Sequence, residues 1–560
     1  MATKTASNRA GAGVVLAIDA GTTGVRTRAV FSDGRPSIAE YREFSQHYPQ
    51  PGWVEHDAEE IWRAARTTLQ SVCRQINEPI AAIGITNQRE TVVAIDRRSG
   101  APLHRAIVWQ DRRTAERCDA LAMHLPEVRA TTGLVLDPYF SGSKVEWLLR
   151  NTSVGDNPNL AFATIDAFLI HRLTGGAAFA PDVSNASRTL LFDIRTLQWS
   201  PPMCAMFDVD SRTLPDVVPS SGRIGVTIGD GDLPAGVPIS GVAGDQQAAL
   251  FGQACFQTGS AKNTYGTGSF VLLNIGTECP SPTDGMLTTV AWRLGTGPAT
   301  YALEGAIFVT GAAVQWLRDG LGIIAKSSDI GPLAESVPDA GGVVMVPAFA
   351  GLGSPWWDPY ARGAMFGITR GTSRAHVARA VVESMVFQTR DVVDAMTRAS
   401  GVAIRDLRVD GGAAVMDLML QLQADQLGVD VLRPTELETT AMGAAYLAGL
   451  AEGVWASTDD IAARWALEQR FTPRSIDRDT AHAQWLRAVE RSRHWISNGV
   501  AQRDTNCATT NTTPLSPKKI AVVATTTTTR RRSMRSGRRS SRCTDRRTSS
   551  MSRCTRERVS

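Results

Sequence analysis

The run Pro238-Ile-Ser-Gly-Val-Ala-Gly-Asp245-Gln-Gln-Ala-Ala-Leu-Phe251 constrains the fold more than any other stretch. A Gly-rich strand end, one carboxylate and an apolar helix follow without a spacer, so the Asp245 carboxylate is held on a rigid support that can face a cleft. Close behind comes Tyr265-Gly-Thr-Gly-Ser-Phe270, a turn of small residues whose backbone N–H groups can approach phosphate. Together they predict a site for moving a phosphoryl group, near the middle of the chain where two lobes meet.

A chain of 560 residues is too long for one core, and two domains are expected. The net charge of +4 averages two unlike regions: residues 501–560 carry 15 Lys and Arg against 3 Asp and Glu, while residues 1–500 carry 44 against 52. The acidic body calls for neither a nucleic acid nor an anionic membrane. The Thr-, Ser- and Arg-rich tail over 501–560 has too little apolar surface to fold and is expected to be disordered. Eight cysteines show no zinc or redox spacing, which suits a reduced, cytoplasmic compartment. No apolar run reaches the roughly 20 residues of a membrane-spanning helix.

In the first lobe, Val14–Asp19 reads as a buried strand, Ala20-Gly-Thr-Thr-Gly24 as a turn and Val25–Phe31 as a returning strand. Asp19, Thr22 and Thr23 then sit at one sheet end, placed for a hydrated Mg²⁺ and terminal phosphate oxygens. Lys262–Asn274 repeats this Gly/Thr turn, so each half opens with one. The polar cluster Asn87-Gln-Arg-Glu90 interrupts apolar strands and is expected to line a cleft, Arg89 and Glu90 offering donors and acceptors to adjacent hydroxyls of a polyol; a surface salt bridge is the alternative. Trp109 is placed to wall an apolar side and Tyr139 to bring one hydroxyl to the edge. Asp245 reads either as a general base or as a helix cap.

Helices are expected at Ile61–Val72, Ser143–Arg150, Gln246–Cys255, Ala375–Ser400 and Val415–Leu427. Others are expected at Ile165–His171, with His171 facing solvent, and within Gly305–Leu317, carrying Gly311 and Gln315. A small-residue helix, Thr440–Gly449, is expected to pack on 415–427. Asn185–Phe192 reads as a loop entering a strand, and Leu407–Gly412 as a strand ending in Asp-Gly-Gly, with room for adenosine or phosphate.

From Val14 to Trp495 the chain closely resembles the FGGY family of carbohydrate kinases, in the actin and sugar-kinase ATPase superfamily, and within it the members that phosphorylate glycerol. The resemblance rests on Ala-Ile-Gly-Ile-Thr-Asn-Gln-Arg-Glu, Ala-Ile-Val-Trp-Gln, Asp-Pro-Tyr-Phe-Ser-Gly-Ser-Lys, Ser-Gly-Val-Ala-Gly-Asp-Gln-Gln-Ala-Ala-Leu-Phe-Gly, Ala-Lys-Asn-Thr-Tyr-Gly-Thr-Gly and Asp-Pro-Tyr-Ala-Arg-Gly, in that order. It implies an α/β fold of two ribonuclease-H-like, actin-like ATPase domains around a central cleft, over residues 12–257 and 258–500. It implies transfer of the γ-phosphoryl group of ATP to glycerol, giving sn-glycerol 3-phosphate and ADP, with Asp245 as base. By resemblance, Arg89, Glu90, Tyr139, Asp245 and Gln246 hold the hydroxyls, and Trp109 and Phe270 face the carbons. Asp19, Thr22, Thr23 and Arg26 match the first phosphate loop, and Gly266 and Thr267 the second. Gly311, Gln315, Gly411, Gly412 and Met416 match the rest of the nucleotide site, and Asp19 and Asp245 the Mg²⁺ position. A homodimer or homotetramer is implied. A larger polyol or ketose, such as erythritol or xylulose, is the alternative substrate, disfavoured by the room that Trp109 and Phe270 take. Two departures stand out: Met416 replaces an Asn that the family often places near adenine, and the loop 229–237 lacks the Arg that some bacterial relatives use for fructose 1,6-bisphosphate, so that inhibition is not carried over.

Overall fold

The computed structural model describes residues 13–281 and 285–496; the expected disordered tail over 501–560 lies outside them. Two mixed sheets carry the architecture, their strands numbered in chain order. The first comprises β1 (Val14–Ala20), β2 (Gly24–Phe31), β3 (Ile38–Glu43), β4 (Ile80–Asn87), β5 (Ser221–Asp230) and β6 (Leu233–Gly244), in the spatial order β5-β6-β4-β1-β2-β3. The second comprises β7 (Ser260–Tyr265), β8 (Ser269–Gly276), β9 (Leu287–Arg293), β10 (Ala299–Ile307), β11 (Asp406–Asp410), β12 (Val431–Pro434) and β13 (Leu467–Phe471), in the order β9-β10-β8-β7-β11-β12-β13.

Both sheets share one plan. Three antiparallel strands, β1–β3 in one half and β7, β8 and β10 in the other, are extended by parallel strands, β4 and β6 or β11 and β12. The β1–β2 and β7–β8 connections are the two Gly/Thr turns, at equivalent places. The central strands read as near-continuous apolar runs because helices cover them: residues 14–18 of β1 are all fully buried. This is the pair of ribonuclease-H-like halves that the resemblance implies.

The helices include α1 (Ala58–Cys73), α2 (Ser141–Asn151), α3 (Ile165–Leu173), α4 (Asp245–Gly252), α5 (Gly311–Gln315), α6 (Arg374–Ser400), α7 (Asp417–Leu427) and α8 (Thr439–Ala451). Asp57 caps α1 by accepting the Glu59 N–H at 2.9 Å. Helix α8 corrects one expectation. It packs on α4 and on β1, β4 and β6 rather than on α7, so an element late in the chain covers the first sheet. Its glycines and alanines let backbones touch: a Cβ on Gly84 would lie 2.1 Å from the Ala444 carbonyl oxygen, and one on Gly241 2.2 Å from the Ala448 nitrogen.

Other boundaries also differ. Helix α4 starts at Asp245 and stops at Gly252, short of Cys255, and Ala254 turns to φ 52°. Residues 305–307 belong to β10, and the helix begins only at Gly311. Asn185 and Ala186, the start of the loop expected over 185–192, instead close a short helix, 183–186, capped by Asp182. Most of 229–237 is the β5–β6 hairpin. His171 is buried, not solvent-facing: a ring nitrogen lies 2.8 Å from the Arg97 carbonyl oxygen and the ring meets Phe179 edge-on. Among the described residues, the cysteines form no disulfide and no helix is long and apolar enough to cross a membrane.

Candidate active site

The register of the first sheet brings its polar residues together. Strands β1, β4 and β6 run parallel, with Ala20 opposite Asn87 and Asn87 opposite Gly244. Asp19, the Arg89-Glu90 pair and Asp245 therefore emerge at one carboxyl end, where open α/β sheets bind ligands. Asp245 is the first residue of α4; its Oδ1 accepts the Gln246 N–H at 2.7 Å and lies 3.1 Å from Arg89 Nε. The Asp245 side chain is 32% exposed against 2% for Arg89, so an open carboxylate rests on a buried cation.

Arg89 also reaches Tyr139, whose hydroxyl accepts from Nη2 at 3.3 Å, and its guanidinium lies 5.9 Å from the Phe270 ring. Tyr139 meets Trp109 edge-on at 5.6 Å, and the Trp109 indole N–H donates to Thr22 Oγ1 at 3.0 Å. Trp109 thereby ties the expected polyol wall to the first Gly/Thr turn. Glu90 holds φ 61°, an uncommon conformation for a residue with a side chain, at the centre of the cluster.

The second sheet gathers the other set. The Gly311 N–H donates to the Gly266 carbonyl at 3.1 Å, and a Cβ on Gly311 would come within 2.6 Å of that oxygen. Gly411, at φ 86°, leaves no room either: its Cβ would lie 2.4 Å from the Tyr265 carbonyl oxygen. Two elements thus bring bare backbone to one turn, with Thr267 exposed beside it. Gly412 faces open space, Gln315 is exposed, and a Cβ on Gly331 would lie 3.5 Å from Met416 Cγ. On the first turn Thr23 is exposed, its hydroxyl 3.3 Å from Tyr41. Arg26, expected at the phosphates, pairs with Glu438 just ahead of α8.

Four residues that sequence reasoning missed complete the arrangement. Lys262 on β7 is fully buried and donates to Gln246 Oε1 and, at 2.8 Å, to Thr264 Oγ1, tying the second sheet to α4 at the residue after Asp245. Burial pulls its pKa down to about 8, against Asp410 and Asp245. Gln247 Oε1 accepts from Arg89 Nη1 at 3.2 Å. Arg188 and Glu304 bind Arg89 and Glu90 from behind. A charged residue inside an apolar strand, as Glu304 is in Ala299–Ile307, was the available signal.

Burial and the nearby Asp245 raise the Asp19 carboxyl to about 7. Two carboxylates facing one cleft, one already reluctant to ionise, fit a divalent cation carried with a nucleotide. Among the described residues no three or more acidic, His or Cys side chains gather into a cage, so such an ion would depend on phosphate oxygens and water for its other ligands. Because the raised pKa belongs to the folded state, ionising Asp19 costs stability as pH rises from about 4 to about 7. Asp19→Asn is therefore expected to raise the Tm of the ligand-free protein by a few degrees at pH 8 and by less at pH 5. Equal shifts at both pH values, measured by calorimetry, would refute that coupling.

Comparison with known proteins places this arrangement. The N-terminal domain profile of the FGGY family of carbohydrate kinases matches residues 14–252 and its C-terminal domain profile residues 261–452. The glycerol kinase of Dechloromonas aromatica is 53% identical over 494 residues, covering 86% of this chain and 98% of that one. The glycerol kinase of Deinococcus radiodurans is 51% identical over 497 residues, covering 87% and 99%. The crystal structure of Plasmodium falciparum glycerol kinase with ADP superposes with a TM-score of 0.80 at 34% identity, covering 87% of this chain and 99% of that one. A xylulose kinase from Lactobacillus acidophilus, with a TM-score of 0.77 at 19% identity, shares the fold. With both of its domain profiles matched in order, the chain belongs to the FGGY family of carbohydrate kinases.

Proposed function

We propose that the chain transfers the γ-phosphoryl group of ATP to glycerol, with residues 12–257 carrying most glycerol contacts and residues 258–500 much of the nucleotide site. The observation that carries this reading is Asp245: a half-open carboxylate 3.1 Å from Arg89, on the helix that links the two sheets. The identity to glycerol kinases supports the substrate.

Oδ1 of Asp245 is taken by Gln246 and Arg89, while Oδ2 has no hydrogen-bond partner among the described residues. Oδ2 takes the proton of a terminal glycerol hydroxyl as that oxygen attacks the γ-phosphorus; the new C–O–P linkage forms, the bond to the β-phosphate bridging oxygen breaks, and ADP leaves. Arg89, Glu90, Tyr139 and Gln246 fix the polyol, and Trp109 and Phe270 exclude water from its carbon face. The turn at Gly266 and Thr267, backed by Gly311 and Gly411, receives phosphate through backbone N–H groups. A Mg²⁺ ion bound with ATP would be held by Asp19 and Asp245 and would supply charge neutralisation at the phosphate oxygens.

ATP-dependent phosphorylation of glycerol, dihydroxyacetone, erythritol and xylulose tests the reading. Glycerol is expected to give the highest kcat/KM. A clear preference for erythritol or xylulose would overturn the pocket assignment and leave the nucleotide half standing.

A further inference from the structure

Behind the groups that face the cleft lies a closed ring of four buried charges. Arg188 Nε donates to Glu90 Oε1 at 2.7 Å, Arg188 Nη2 donates to Glu304 Oε1 at 2.8 Å, and Arg89 Nη2 donates to the same Glu304 oxygen at 3.2 Å. Arg89 Nε lies 3.7 Å from Glu90 Oε1 and closes the ring. All four side chains are at most 2% exposed. Arg188 is fully buried and its guanidinium lies over the rings of Tyr139 and Phe140, at 5.7 and 5.2 Å, so it reaches no ligand itself. Glu304 comes from β10 in the second sheet, whereas the other three follow β4 or the 183–186 helix in the first half.

The alternation of sign has a consequence for each cleft-facing group. Glu304 occupies both terminal nitrogens of Arg89, which leaves Nε turned to Asp245. Arg188 occupies Oε1 of Glu90, which leaves Oε2 without a partner among the described residues. Burial pushes the Glu90 carboxyl up, and Arg89 and Arg188 oppose it; burial acts on Glu304 too, but Arg188 and Arg89 outweigh it and bring that carboxyl down to about 2. Removing one member of such a ring leaves its neighbours buried and unpaired, which is costly.

We infer that Arg188 and Glu304 are positioning residues that set polyol specificity, holding Arg89 and Glu90 as a fixed donor and an ionised acceptor without touching substrate. This rests on the assignment of Arg89 and Glu90 to the substrate hydroxyls. Because Glu304 belongs to the other half, the polyol pocket is complete only when the two sheets are in contact.

The test uses the full chain carrying Arg188→Met, Arg188→Lys or Glu304→Gln. Glycerol turnover by the unsubstituted protein is measured first and decides the substrate reading by itself. Given that turnover, Arg188→Met is expected to raise the KM for glycerol by about a hundredfold, a loss typical of unpairing a buried polar site. It is also expected to make glycerol affinity depend more steeply on pH than in the unsubstituted protein, improving as pH rises, because losing Arg188 pushes the buried Glu90 carboxyl further up. Glu304→Gln raises the KM for glycerol without that pH dependence, since it removes a negative neighbour of Glu90. Arg188→Lys recovers part of the loss, and in both Arg188 variants ADP affinity, measured calorimetrically, stays within about twofold, because Arg188 belongs to the first half and the nucleotide turn to the second sheet. If variants that keep the far-UV circular dichroism of the unsubstituted protein lose glycerol and nucleotide affinity alike, or keep the KM for glycerol and its pH profile unchanged, the inference is wrong.

Discussion

Asp245→Asn is expected to lower kcat for glycerol phosphorylation by about a thousandfold or more while glycerol and ADP still bind. The amide keeps the shape of the carboxylate and can still accept from the Gln246 N–H and from Arg89, so the geometry at the start of α4 survives. What disappears is the acceptor for the hydroxyl proton. Two further effects follow from the lost charge. Arg89 loses one of its three carboxylate neighbours but keeps Glu304 and Glu90, so it stays ionised and in place. Asp19 loses a neighbour that raises its pKa, and its carboxyl ionises at lower pH. Single-turnover phosphorylation separates chemistry from binding, and calorimetry gives both affinities. A kcat within tenfold of the unsubstituted value would show that another group takes the proton, and Asp245 would then be a cap and an electrostatic neighbour only.

The features readable in the sequence share a physical property: they are local. The strand, glycines and carboxylate of 238–251 specify their own geometry, and so do the two Gly/Thr hairpins, because the residue types needed for a tight turn lie within five positions. Arg89 and Glu90 are legible as a polar break between apolar strands, Trp109 and Tyr139 as an aromatic wall and edge, and the resemblance joins the four; the structure brings them together around one guanidinium. What escaped is non-local. Arg188 finds Glu90 across 98 positions and Glu304 across 116, and nothing in Asn185–Phe192 announces either partner. His171 looked like an exposed helix residue, yet its acceptor is a carbonyl 74 positions away. Lys262 lies inside the stretch that reads as the phosphate turn, and its partner Gln246 sits on a different element 16 positions earlier. Small residues in 440–449 signalled close packing correctly but could not say against what, since four elements of the first half offered a matching surface.

That small-residue helix supports the second large expectation. A methyl group on Gly443 would lie 1.8 Å from the Ala248 carbonyl oxygen and 2.6 Å from its carbon, far inside contact distance. The obstacle is backbone, so no side-chain rotation relieves it, and α8 and α4 must separate. Gly252 repeats the constraint at the other end of α4, where a Cβ would lie 2.0 Å from the Thr439 carbonyl oxygen, so α4 cannot simply tilt about that point. Alanine is the better helix former at an unconstrained site, so propensity alone predicts a gain. Overpacking opposes it with a cost of about 2–4 kcal/mol. Function is more sensitive still: Asp245 lies three residues before Ala248 on the same short helix, and a misplacement of about 1 Å can cost on the order of a hundredfold in rate. Gly443→Ala is therefore expected to lower Tm by several degrees and kcat by about a hundredfold, while ADP affinity changes little, because the nucleotide turn rests on the second sheet. Gly155→Ala, where a Cβ meets nothing within 4 Å, is the control and is expected to leave kcat unchanged. If Gly443→Ala keeps the kcat of the unsubstituted protein, α8 does not fix the height of Asp245, and the placement of the base depends on Arg89 and Lys262 instead.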